Sequence, residues 1–349
     1  MAMANDHGSK FLRARFRLRG ILDASVFLVL VAAGSGTILG FLGAHGWIFD
    51  LFAHFRIQYA WALLAFGVWF VFRRKRLLSL AILALAVVNI GVVVPHYFRK
   101  PVQQHHETEP LRVMLINVNR SYGSPQSVLD AVRGANPDLV VLEEISDPWY
   151  ATVGPALADG YPHHHTSLRS DNFGIGLWSK HPLVSASTLY SGELFIPSIV
   201  ADVGSPHGYV RVIATHPFPP ISRDGARVRD EQLAELARRA AMADTPLLLV
   251  GDLNATRWSA AFGSLLRVSG LLDASLGRGH FPTWPAFLPV FLRIPIDHVL
   301  HTPDIEIVAM STGSRVGSDH LPVVVDFRLP ASGLVAMMVR SVARAETFP

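Results

Sequence analysis

Six short polar motifs interrupt the last two thirds of this chain, in the order Ile116-Asn117-Val118-Asn119, Leu142-Glu143-Glu144, Thr215-His216-Pro217, Gly251-Asp252-Leu253-Asn254, Ile296-Asp297-His298 and Ser318-Asp319-His320. Most of them end an apolar, β-branched run, the pattern of a strand buried on both faces. They therefore fall where strands reach the rim of a sheet, and only a fold that gathers several strand ends on one side can use them together. The motifs bring carboxylates, amides and imidazoles, the groups needed to hold Mg²⁺ and to cut a phosphate ester.

The hundred residues before the motifs follow a different pattern. Three apolar stretches, at about 21–43, 51–72 and 77–94, are separated by charge. A membrane span needs roughly 20 apolar residues; the first and third meet that, and His54 and Arg56 shorten the second. Residues 1–100 therefore read as a membrane anchor of about three spans. Lys10, Arg13, Arg15, Arg17 and Arg19 precede the first stretch, and Arg73, Arg74, Lys75 and Arg76 separate the second from the third. Excess Lys and Arg marks the cytoplasmic side, so three spans would place everything after residue 100 outside the cytoplasm, at the inner membrane of a cell.

Charge narrows the partners. Residues 1–100 carry 12 Lys/Arg against 3 Asp/Glu (+9), and residues 101–349 carry 19 against 24 (−5), which together give the chain's +4. A grip on duplex DNA needs a basic footprint, and the larger part of the chain has the opposite sign. The absence of Cys removes disulfides and thiolate metal sites. No protein partner is indicated.

A polar linker, 101–110, leads into a domain at 111–330 in which strand and helix patterns alternate. Strands are expected at 111–118, 139–142, 174–178, 196–203, 209–215, 247–250, 294–300, 305–310 and 322–329. Helices are expected at 125–133, 148–158, 227–243 and 258–268. The tail, 331–349, is expected to fray. His163, His164 and His165 do not make a zinc site, because neighbours on an extended chain point to opposite sides.

Over residues 111–329 the six motifs, taken in order, resemble the endonuclease/exonuclease/phosphatase superfamily, the group of the DNase I-like nucleases, sphingomyelinases and inositol-phosphate phosphatases. The resemblance implies an α/β fold, a four-layered α/β sandwich with its site at one end of two packed sheets. It implies Asn117, Glu144 and Asp319 as ligands of Mg²⁺, with Mn²⁺ as a substitute. His216, Asp252, Asn254, Asp297 and His320 take the catalytic roles. Asp252 and Asn254 orient the attacking water, and Asp297 orients His320, which acts as a base or as a phosphate-holding cation. His216 assists the leaving oxygen, and His298 is packing. Asn172 resembles a substrate-side residue. Arg223 and Arg229, after the His216 loop, have the planar guanidinium that suits phosphate.

The resemblance extends to a bacterial branch in which a short anchor precedes this domain and some members are associated with lipid-carrier diphosphates. The expected substrate is thus a phosphorylated membrane lipid or polyprenyl carrier. A second expectation is an outward-facing nuclease or phosphodiesterase, and a third is an inactive membrane scaffold. The nearly uncharged run 281–292, with four aromatic residues and three prolines, is expected as a loop that meets the membrane beside Asp297.

Overall fold

The computed structural model describes residues 24–98 and 105–330. The basic N-terminal segment, residues 101–104 of the linker and the tail 331–349 lie outside the described residues.

The sandwich is built from two six-stranded sheets. In the first, β1 (Leu111–Asn117), β2 (Leu139–Glu143), β3 (His163–Ser167), β4 (Ile175–Ser179), β11 (Glu306–Thr312) and β12 (Val323–Arg328) run in the order β11-β12-β1-β2-β4-β3. In the second, β5 (Leu183–Ser191), β6 (Ile196–Ser205), β7 (Gly208–Thr215), β8 (Leu247–Asp252), β9 (Leu272–Asp273) and β10 (Asp297–His301) run in the order β5-β6-β7-β8-β10-β9. Val113, Val141, Leu177, Ala201, Val212, Val250 and Val325 meet between the sheets in a fully buried layer. Outside the first sheet lie α6 (Pro125–Ala135) and α7 (Asp147–Ala158), and outside the second α8 (Arg223–Ala241) and α9 (Ala260–Ser269). The four expected layers are present.

Register places the motifs. β1 and β2 run parallel with Asn117 beside Glu143, and β8 and β10 run antiparallel with Asp252 beside Asp297. Leu115 pairs with Val323, so Asp319 and His320, just before β12, arrive at the end of β1 that carries Asn117. Gly251 is a position only glycine fits, because a side chain there would strike the Thr215 carbonyl and the Glu143 carboxylate.

Three strands escaped the sequence reading, one of them the two-residue β9. β3 and β5 are polar and partly exposed, and give no apolar run to find. Within β3 the histidines go separate ways: His164 meets Tyr150, and His165 meets Thr188. The linker's last residues are docked rather than free, with His106 bonded to Glu306 and Asp304 and Thr108 to the Leu329 carbonyl.

At the N-terminus, α1 (Ala24–His45) and α4 (Arg76–Val93, extended to Phe98 by the short α5, Pro95–Phe98) are long and apolar enough to cross a membrane. The second stretch is broken. It parts at His54 into α2 (Trp47–Ala53) and α3 (Arg56–Phe72), bent by 60°, and the pair is long and apolar enough to cross a membrane when taken as one span. The break is where polar groups find partners: His54 bonds Thr256. Arg56 donates to the Thr37 carbonyl (2.8 Å) and to Asn89, and Asn89 donates to Thr37 Oγ1 (2.7 Å). One polar knot thus joins α1, α3 and α4, while Phe27, Leu28, Trp61, Val68, Leu77 and Val87 face outward.

Candidate active site

The site is assembled at the common rim of the two sheets. Asn117, the last residue of β1, donates from Nδ2 to Glu144 Oε1 (3.2 Å) and to Asp252 Oδ2 (3.4 Å), so one amide links both sheets. Asp252 Oδ1 accepts the Asn254 backbone N–H (2.9 Å). Its Oδ2 lies 3.6 Å from His216 Nε2 and 3.6 Å from His320 Nε2. His320 Nδ1 bonds Asp297 Oδ2 (2.9 Å), and the same oxygen accepts the Thr283 hydroxyl. Both ring nitrogens of His320 face carboxylates, the arrangement in which an imidazolium uses both of its donors. Burial would lower the His320 pKa, but the charges of Asp297 and Asp252 overcome it and raise it to about 10.

The neighbours shift in different directions. Burial pushes Asp252 up to about 8, with the His320 charge opposing. Burial also acts to raise Asp297, but His320 outweighs it and holds that carboxyl below its usual range. Burial, then the His320 charge, pulls His216 down to about 4. His216 is therefore neutral at neutral pH, and its help to a leaving oxygen is a hydrogen bond rather than the gift of a standing cation's proton.

The carboxylates of the rim show where a metal would fit. Glu144 is 8% exposed and its Oε2 has no hydrogen-bond partner, and a buried carboxylate oxygen without a partner is costly. A hard divalent cation satisfies such an oxygen. Asp319 is held by two donors, Asn119 Nδ2 (2.7 Å) and Trp284 Nε1 (3.0 Å), which orient it and leave each oxygen a second lone pair. Burial raises the Glu144 pKa, and Glu144 also senses the charges of His320 and Asp319. Glu144 and Asp319 therefore offer oxygens suited to a hard cation, while Asn117 turns its Nδ2 to Glu144 and Asp252 and its Oδ1 accepts the Asn119 N–H. A second grouping, Asp252, Asp297 and His320, has its ligand atoms within 4.8 Å of one another, but in it Asp297 and His320 already bond each other.

Three site residues other than glycine adopt left-handed backbone: Asn119 (φ 45°), Glu144 (φ 62°) and Asn254 (φ 48°). Each follows a strand within two residues and turns its side chain back over the rim. Such conformations cost of order 1–3 kcal/mol and concentrate at functional sites.

The substrate-side expectations divide. Asn172 lies at the rim, accepting from Arg120 Nε (2.9 Å). Arg229 is corrected: it is 1% exposed and turned inward onto Asp50, Asp230 and the Asn254 carbonyl, so it does not reach a phosphate in solvent. Arg223 is exposed at the first turn of α8, on a groove shared with Trp47 of α2, which is the anchor's side of the helix. His298 packs on Phe262 and bonds the Ala255 carbonyl, as expected. Sequence reasoning missed Thr283 and Trp284 as supports of Asp297 and Asp319, although they lie only 14 and 35 residues before those partners. It also missed Ser318, which joins the Asn117 carbonyl to the His320 N–H.

A two-sheet sandwich with this rim is the DNase I-like architecture, a scaffold for metal-dependent hydrolysis of phosphoester bonds. Residues 114–320 match the Endonuclease/Exonuclease/phosphatase family, and the chain belongs to it. Solved structures agree. An endonuclease/exonuclease/phosphatase from Beutenbergia cavernae is 25% identical with a TM-score of 0.55, covering 64% of this chain and 72% of that one. TDP2 from D. rerio, complexed with single strand DNA product, is 16% identical with a TM-score of 0.55, covering 63% of this chain and 100% of that one. The human Nocturnin catalytic domain, with bound sulfate, is 18% identical with a TM-score of 0.51, covering 67% and 98%. A comparison with curated protein sequences gave no match.

Proposed function

We propose that the chain is a membrane-anchored, Mg²⁺-dependent phosphohydrolase whose site faces away from the cytoplasm and acts on a phosphate ester or diphosphate of a membrane lipid or polyprenyl carrier. One observation carries this reading, the loop at 281–293. At one end it supports the site, through Thr283 to Asp297 and through Trp284 Nε1 and the Ala286 N–H to Asp319. At the other end it lies on the anchor, where Gln58 of α3 donates to the carbonyls of Phe291 (3.3 Å) and Arg293 (2.9 Å). Between them Phe287, Val290, Phe291 and Leu292 are exposed, a composition suited to the membrane interface. A substrate held in the bilayer would reach the rim past these side chains.

Helix ends support the orientation. Gly43 of α1 lies against Ala260, Gln58 of α3 against the 281–293 loop, and His96 beyond α4 against Trp258 and Gly277. All three helices thus put one end on the catalytic domain, and the turn at Arg73–Arg76 lies at the other end. With that basic turn cytoplasmic, the domain is extracytoplasmic. The −5 balance of residues 101–349 favours lipid over nucleic acid, whose non-specific binding is largely electrostatic.

In the reaction, the ionised form of Asp252, whose share grows as pH rises towards 8, takes through Oδ2 the proton of the water that attacks phosphorus, with Oδ1 fixed by Asn254. His320, held by Asp297, stabilises the charge that develops on the phosphoryl oxygens. Neutral His216 offers a hydrogen bond to the leaving oxygen. Glu144 and Asp319, with Asn117 beside them, would hold Mg²⁺, which when bound would supply Lewis-acid stabilisation of the phosphoryl group. The test is phosphate release by detergent-solubilised protein with Mg²⁺, offered undecaprenyl diphosphate and single-stranded DNA in parallel, with His320→Ala as blank. Phosphate from the lipid with intact DNA supports the reading. Cleaved DNA with inert lipid overturns it in favour of a nuclease, and no turnover of either points to a scaffold.

A further inference from the structure

The elbow between α2 and α3 grips the loop that carries Asn254. Asp50 of α2 accepts from Arg229 Nη2 (3.0 Å), Ser259 Oγ (2.9 Å) and the Ala260 N–H (2.6 Å). Arg229 of α8 also donates from Nε to Asp230 (2.8 Å) and from Nη1 to the Asn254 carbonyl (3.2 Å). His54, at the break, accepts the Thr256 N–H (3.2 Å) and contacts the Thr256 hydroxyl (3.0 Å). Residues 254–260 leave β8 directly after Asp252, so the anchor holds the catalytic loop at its middle and its end, and through Arg229 at its start.

A buried ion pair is a poor device for stability alone, since an apolar pair of similar volume often folds as well. What an apolar pair cannot do is donate to the Asn254 carbonyl. That peptide needs support, because Asn254 is left-handed (φ 48°) and its N–H fixes Asp252 Oδ1. We propose that Asp50 and Arg229 are positioning residues: the anchor's elbow sets the Asn254 turn, and the turn aims the Asp252 carboxylate. The proposal rests on the reading of Asp252 as the group that takes the proton from water.

The test uses the full chain in detergent and compares the Asp50→Leu/Arg229→Met double variant with Arg229→Lys. Melting temperature, kcat and KM on bis(p-nitrophenyl) phosphate with Mg²⁺, and hydrogen exchange of residues 252–259 are measured together. Displacements of the order of 1 Å cost about a hundredfold in rate. The expected double variant melts near wild type, loses about tenfold or more in kcat with KM within about twofold, and exchanges faster over 252–259. Arg229→Lys, which keeps the charge opposite Asp50, recovers part of that kcat. Wild-type kcat and exchange in the double variant overturn the proposal and leave a structural staple. If the double variant does not fold, Arg229→Lys decides: slower turnover at a normal melting temperature supports positioning, and unchanged turnover overturns it. If the wild type hydrolyses no phosphoester, the functional reading fails, and the exchange data alone decide whether the elbow holds the loop.

Discussion

Glu143 accepts the backbone N–H of Asp252 through both carboxylate oxygens, at 3.2 and 3.1 Å. The bond crosses from the end of one sheet to the end of the other and sets the spacing of the rim on which Asn117, Asp252 and Asp297 stand. Burial, then the charges of Asp252 and Asp297, raises the Glu143 pKa well above the usual carboxylate range, so this side chain serves as an acceptor and not as a permanent anion.

Glu143→Gln should therefore keep both fold and activity, because an amide oxygen accepts the same N–H without a charge. Glu143→Ala leaves the Asp252 N–H buried without a partner and should cost about 1–3 kcal/mol, with a matching fall in turnover. Denaturant melts and steady-state rates on the two variants check this. A Gln variant as impaired as Ala would refute it.

Glu144→Gln removes the charge but not the bulk at the oxygen that lacks a partner. Calorimetric titration with Mg²⁺ should show binding weakened by at least about tenfold, while the melting temperature without metal holds or rises. Unchanged Mg²⁺ affinity would move the metal away from Glu144.

Asp297 and His320 should behave as one unit. Asp297→Asn and His320→Asn should each lower kcat by about 10²–10³-fold, the usual cost of losing one preorganised group that stabilises developing charge. The double variant should be little worse than His320→Asn alone, because the role of Asp297 is exercised through the ring it holds. Full additivity in the cycle would mean that Asp297 acts independently.

His216 and His280 should each contribute stability that acid removes below about pH 6.5, against the opposite contribution of Asp252, whose raised pKa favours the folded state as pH falls. His216 and His280 both have pKa values lowered to about 4, each first by burial, then His216 by the His320 charge and His280 by Arg257. The folded pKa lies below the unfolded one, so as pH falls the unfolded chain takes up protons first. The stabilisation is complete above pH 6.5 and lost progressively towards pH 4, and for His216 it amounts to roughly 3 kcal/mol at the limit. Between pH 7 and 4.5 the melting temperature of wild type should drop relative to that of His216→Gln, because only the wild type loses the His216 contribution. Equal slopes in the two proteins would show that His216 titrates normally.

Replacing Phe287 and Phe291 by Ser should raise KM for a membrane-held substrate by about tenfold, the scale of losing buried aromatic area, and leave a water-soluble phosphoester unaffected. Equal losses on both substrates would mean that the loop only supports Trp284 and Thr283.

The central strands and the six motifs were legible because the signals are local: a β-branched run, then a carboxylate, amide or imidazole. Asp297 and His320 could be paired on resemblance, and the structure joins them. What escaped the sequence lies in partners far apart. Arg229 reads as a free phosphate binder until Asp50, 179 residues earlier, is placed against it. His54 and Arg56 were visible as interruptions of an apolar stretch, and Asp50 lies just before it, but Thr256, Ser259 and Asn89 could not be assigned to them. The left-handed turns at Asn119 and Glu144 were equally hidden, since neither carries the glycine that usually announces one.

Those turns set activity against stability at single positions. Glycine relaxes a left-handed backbone, so Asn119→Gly, Glu144→Gly or Asn254→Gly would ease the fold while removing a side chain from the rim. A selection for heat resistance that ignored turnover would drift towards glycine at these three places, and its most durable survivors would be inert. A stabilisation campaign on this chain therefore has to hold residues 119, 144 and 254 fixed and look for its gains elsewhere.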